Sequence, residues 1–159
     1  MTDTTYINAM HNGLPDPVLD RQFYKRVTSK RMVAWVIDTL IIFAIAIPVG
    51  AILTIATLGL IFLVLPPLFL TLSFIYRTLT IGNRSATWGM RMMGIEFRNR
   101  DGDRFEMSTA AAHTGLYMLS VATLIGWLIS VLMMVGSRYG QGLPDMLLGS
   151  TAINTPLDR

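Results

Sequence analysis

Asp38 is the only charged residue between Arg31 and Arg77, so a carboxylate lies in the middle of an otherwise apolar stretch. An aspartate at the centre of a membrane helix opposes insertion by roughly 2.5–3.5 kcal/mol and needs a partner, a proton or water. Two chemistries fit: an ion or proton site, or a hydrogen-bonding group that locks helices together. Arg31 precedes Asp38 by two helical turns on the same face, about 10 Å away. That is too far for direct pairing, so Arg31 is expected to hold the interface while Asp38 faces another helix. A second carboxylate, Asp145, follows Gly142, Leu143 and Pro144 in a short apolar segment closed by Gly149. There it suits the N-cap or first turn of an interfacial helix.

Other chemistries find little support. There is no cysteine and there are only two histidines, which removes disulfides, thiolate metal sites and cysteine nucleophiles and leaves little for zinc. Phosphate-cradling, metalloprotease and nucleophile-elbow motifs are absent from the sequence. Two carboxylates of an intramembrane aspartyl protease would require a larger bundle than this chain can build. The expectation is therefore a non-enzyme without cofactor or metal.

The elements that must position Asp38 follow from composition. Of 159 residues, 52% are hydrophobic and 14% charged, with mean hydropathy +0.51; soluble domains carry roughly 25% charged residues. The net charge is +3, but eleven of the thirteen basic residues fall in 21–31 and 77–104. This is the pattern of a membrane protein and argues against nucleic acid. A span needs about 20 apolar residues, which places two helices at 32–53 and 60–76 with a tight turn at 54–59. Pro66 and Pro67 interrupt the second span, and their face is expected to be buried in protein. About 30 residues precede the first span, so it reads as an anchor and not a cleaved signal. Basic residues favour the cytoplasm, so the N-terminus and the 77–104 segment are expected there.

The third apolar region, 107–137, is long for one span and short for two. A break near 122–126 makes it a re-entrant helical pair; without one it is a single tilted helix. Between the second and third regions, 94–97 and 104–107 flank an Asp101-Gly102 turn and read as a small cytoplasmic β-hairpin. The fold class is thus an all-α membrane protein: a small helical bundle with an N-terminal transmembrane hairpin, a third region and a β-hairpin loop. Its parts are a tail at 1–27, a membrane domain at 28–152 and a C-terminal tail at 153–159. Gly13-Leu-Pro-Asp16 recurs at 142–145 and is read as turn chemistry or coincidence, not as a duplicated domain.

Arg31, Asp38 and Asp145, in this order and in these positions relative to the spans, resemble the arginine and two aspartates that name the RDD family of membrane proteins. Thr87, Gly89, Arg91 and Gly94 also fall on the matching positions of that family's Thr-Leu-Gly-Lys-X-Leu-X-Gly-Leu stretch. The resemblance covers residues 28–152. It departs from the family pattern at Pro144, where a histidine commonly precedes the last aspartate, and at His113, where members often carry an arginine. His113 is then a conditional positive charge and, with Arg91, an auxiliary to the Arg31, Asp38 and Asp145 constellation. The resemblance implies a bacterial inner-membrane protein that transports a cation or proton with Asp38 as the site. The alternative is an accessory or scaffold subunit of a membrane complex. Three or four short helices make a small vehicle, so its partners are expected to be lipid and a homo-oligomer or larger assembly. For Asp145 to approach Arg31, the third region must be re-entrant.

Overall fold

The computed structural model describes residues 13–56 and 61–156. Residues 1–12 of the expected N-terminal tail, 57–60 of the expected interhelical turn and 157–159 of the C-terminal tail lie outside the described residues. After a short 3-10 turn, Arg21–Phe23, the chain forms α1 (Val27–Ala56), α2 (Ile61–Arg84), α3 (Trp88–Met92), β1 (Ile95–Arg98), α4 (Met107–Val121), α5 (Leu124–Gly136), α6 (Leu143–Leu148) and β2 (Thr151–Asn154). Helices α1 and α2 are long and apolar enough to cross a membrane. Both outrun the apolar cores that the sequence marks, and α2 continues two turns past Tyr76 to Arg84.

Residues four apart lie on one helical face, and the buried positions of α1 follow this spacing: Ala34, Asp38, Ile42, Ala46 and Gly50. In α2 the matching stripe is Ser73, Arg77 and Ile81. The small and polar members of these stripes let the two backbones approach, whereas most of the large Leu, Ile and Phe side chains of both helices, Ile42 and Ile81 apart, are turned away from them, as the apolar solvent of a bilayer permits. Helix α4 runs antiparallel to α2: a Cβ at Gly82 would lie 2.6 Å from Met107 Sδ, and the Arg77 guanidinium sits 4.7 Å from the Tyr117 ring centre. Having only 15 residues, about 22 Å, α4 ends before it reaches the prolines. Pro66 and Pro67 are consequently exposed on this chain, contrary to the expectation that their face is buried in protein.

Between α4 and α5 the chain bends by 117°, so residues 107–137 are not one tilted helix. The break falls at Ala122 and Thr123, and Thr123 caps the new helix by accepting from the Gly126 N–H at 3.0 Å. α6 and β2 therefore return to the side where α1 begins. There the Asn154 amide reaches the carbonyls of Gln22 and Lys25, and Lys30 donates to the Asn154 side chain at 2.7 Å.

A two-stranded antiparallel sheet forms, but its strands are β1 and β2, with Glu96 opposite Ile153 and Phe97 opposite Ala152. The expected hairpin with 104–107 does not form. Its turn exists, closed by Asn99 N–H to the Asp103 carbonyl at 2.9 Å. Beyond it, Ser85 takes the place of a strand. Its carbonyl accepts the Phe97 N–H at 2.6 Å and its hydroxyl accepts the Phe105 N–H at 2.7 Å. Phe105 then stacks on Phe97 at 5.2 Å and α4 starts at Met107. The free edge of β1 goes to residues 151–154 instead.

Ser85 does this from the left-handed region, at φ 55°, which a residue with a Cβ enters at a cost of about 1–2 kcal/mol. Ser85→Ala keeps that cost and leaves the Phe105 N–H without its acceptor, whereas Ser85→Gly relieves the backbone. Thermal unfolding should therefore rank the wild type above Ser85→Gly and Ser85→Gly above Ser85→Ala, with about 1 kcal/mol between the two variants. Equal variants would mean the left-handed geometry carries no strain.

Candidate functional site

The residues singled out by the sequence fall into two clusters, not one. Arg31 and Asp145 meet, His113 joins them, and Asp38 sits in a separate cluster further along α1.

The first cluster is built on α6. Asp145 is fully buried, and its Oδ2 accepts from Arg31 Nη1 at 2.6 Å and from the Gly142 N–H at 2.9 Å. The second bond satisfies an amide at the start of α6, as an acidic residue in a first turn should. Oδ1 lies 2.8 Å from His113 Nε2. Arg31 also donates to the Gly140 carbonyl at 3.1 Å and lies over the Phe97 ring at 5.3 Å. His113 packs against Phe97 and Phe105 at 4.6 and 5.6 Å. Burial alone would raise the Asp145 carboxyl, but the Arg31 charge and the His113 hydrogen bond outweigh it and hold the group well below the usual carboxylate range. A histidine does reach the last aspartate, although it comes from α4 and not from the position held by Pro144.

The second cluster surrounds Asp38, which is 1% exposed. Its Oδ1 accepts from the Tyr76 hydroxyl at 2.7 Å and from the Gly89 N–H at 2.9 Å. Its Oδ2 accepts from the Thr87 hydroxyl at 2.6 Å and lies 3.8 Å from Arg77 Nη1. Thr87 in turn caps α3, accepting from the Met90 N–H at 3.2 Å. Each bond to a charged group is worth about 1.5–3 kcal/mol, so three of them exceed the roughly 2.5–3.5 kcal/mol cost of placing the aspartate in the membrane. Arg31 takes no part here. Arg91 joins neither cluster; it is exposed and stacks on Trp88 at 4.4 Å.

Sequence reasoning did not assign Tyr76 and Arg77 to a site. Their signal was present, because Arg77 ends the uncharged stretch that Asp38 interrupts. Thr87 and Gly89 were noted only as matching positions, although Gly89 has a clear physical reason: a Cβ there would collide with the Ala34 carbonyl and lie 2.8 Å from Asp38 Oδ1. Among the described residues, no group of three His, Cys, Asp or Glu side chains could hold a metal.

Fold and site together define a small helical membrane protein whose buried aspartates, Asp38 and Asp145, are bound by the chain's own donors. A model of the RDD family matches residues 26–149, and the chain belongs to that family. No curated protein and no solved structure matches it.

Two outcomes follow. Gly89→Ala forces α3 away from α1 and should destabilise the protein by about 1–3 kcal/mol, as overpacking does; an unchanged melting temperature would mean that the approach is not tight. Asp145→Asn leaves Arg31 without its buried partner, a loss of about 3–5 kcal/mol. Because the folded carboxyl is depressed, its stabilisation is present above the ordinary carboxylate range and fades as pH falls through about 4 and below. The melting-temperature gap between wild type and Asp145→Asn measured at pH 5 should therefore narrow below pH 4, and a gap that widens would contradict the ion pair.

Proposed function

We propose that this RDD-family protein is a non-enzymatic accessory or scaffold subunit of a bacterial inner-membrane complex, with its N-terminus and two-stranded sheet in the cytoplasm. The observation that carries this reading is the engagement of Asp38 by the fold: the Tyr76 and Thr87 hydroxyls and the Gly89 amide donate to its two oxygens, with Arg77 alongside. A cation could bind there only by displacing three donors and facing a guanidinium. Asp38 is then the group that docks α3 onto the transmembrane hairpin. The outward faces of α1 and α5, with Leu40, Ile47, Leu128 and Leu132 exposed, suit lipid and a second subunit. Arg21, Lys25 and Arg26 on the N-terminal side support the cytoplasmic orientation, since basic residues are retained there.

The transport reading keeps one specific support, the contact of His113 with Asp145. That pair sets an imidazole, whose two ring nitrogens can donate or accept a proton, against a carboxylate. If the protein moves protons, His113 carries them, held by the ionised Asp145, and Asp38 does not.

Proteoliposomes with a trapped pH dye separate the two. The accessory reading expects no proton flux above empty liposomes when Na⁺, K⁺ or Li⁺ is added to the wild type, and it expects Asp38→Asn to lower abundance or partner retention in the membrane. Cation-dependent flux that persists in a folded Asp38→Asn variant and disappears in His113→Gln would overturn it in favour of transport.

A further inference from the structure

A cavity of about 280 Å³ lies among α1, α2, α4 and α5, near the lower end of the ~300–1,000 Å³ typical of ligand pockets. Most of its wall is apolar, with Trp35, Val131 and Met134 among the lining side chains. One charged group on that wall is held only loosely by the fold. Arg77 is nine-tenths buried, its Nε has no partner, and its contact with Asp38 is 3.8 Å, longer than a hydrogen bond. A guanidinium offers five N–H donors, so a buried arginine with one loose ion pair is under-satisfied. Native folds rarely leave such groups unpaired.

The charges around the cavity favour an anion. Its charged lining groups are Arg31, Arg77 and Asp38, together with His113. Arg31 is held by Asp145 and the Gly140 carbonyl, and both Asp38 oxygens are taken by Tyr76, Thr87 and Gly89. Arg77 remains as the cation with donors to give, held over the Tyr117 ring.

We infer that this cavity binds a single-chain acidic amphiphile, whose carboxylate or phosphate accepts from Arg77 while the first part of its chain lies against Trp35, Val131 and Met134. The volume suits one chain, not the two of a bilayer phospholipid. The assignment does not depend on the accessory reading of the whole protein.

The full chain, purified in detergent and stripped of lipid, can be tested by equilibrium binding of radiolabelled oleate and 1-oleoyl lysophosphatidic acid, with methyl oleate, phosphatidylglycerol and inorganic phosphate as competitors. Both acids should bind at least tenfold more tightly than the neutral methyl ester. Arg77→Gln should reduce oleate to the level of the ester. Val131→Trp fills the chain side without touching the Asp38 cluster and should weaken both acids at least tenfold at an unchanged melting temperature; it decides the matter if Arg77→Gln does not fold. Oleate alone or lysophosphatidic acid alone above the ester would identify the head group and support the site. Methyl oleate binding as well as oleate, phosphatidylglycerol or inorganic phosphate competing better than either acid, or wild-type binding in Val131→Trp would each overturn it.

Discussion

A carboxylate placed in a membrane helix must be supplied with donors by the rest of the chain, and much of this structure answers that demand at Asp38. No neighbour on α1 itself is among its donors. Tyr76 comes from the second span, and Thr87 and Gly89 come from the short helix after it. Satisfying one side chain therefore fixes the register of α2 against α1 and seats α3 over the end of the hairpin. Gly89 is the geometric condition for this, since only a residue without a Cβ lets the α3 amide reach the carboxylate past the Ala34 carbonyl.

Asp145 performs the corresponding task for the last third of the chain. Its bonds to Arg31, His113 and the Gly142 amide draw α6 to the beginning of α1 and to α4. That closure requires the chain to turn back between α4 and α5, and the 117° bend provides the turn. The sheet completes the same junction: β2 pairs with β1 only because the chain has returned. Two ionic centres thus tie three parts of a small protein together: the hairpin, the β1-bearing connection and the bent α4–α5 pair.

The spans were legible in the sequence because they rest on local counting of apolar runs of span length; the same counting showed that the 31 residues of 107–137 are long for one span and short for two, which left the bend as one of two readings. The type of residue at Arg31, Asp38 and Asp145 also marked them as special. What they bind was not legible, since Arg31 and Asp145 are 114 positions apart and local spacing said only that Arg31 and Asp38, about 10 Å apart along one helix, do not pair directly. The strand pairing failed for a related reason. Asp101-Gly102 does form a turn, but the Ser85 backbone and hydroxyl, 12 to 20 residues away, capture the amides of Phe97 and Phe105 that a hairpin reading leaves to the strands. Pro66 and Pro67 are exposed because α4 is too short to cover them, which no property of α2 itself reveals.

Whether Asp38 is a docking group or an exchangeable site is the question on which the function turns. A double-mutant cycle of Asp38→Asn and Thr87→Val, read by reversible unfolding in detergent, addresses it directly. Asn can keep an oxygen toward the Gly89 amide only by turning its NH₂ toward Thr87 and Arg77. Its cost should therefore fall when Thr87 is already removed. The account predicts a coupling of at least about 1 kcal/mol between the two positions, as for residues sharing one hydrogen-bond network. Additive effects, with both single variants as stable as the wild type, would contradict it.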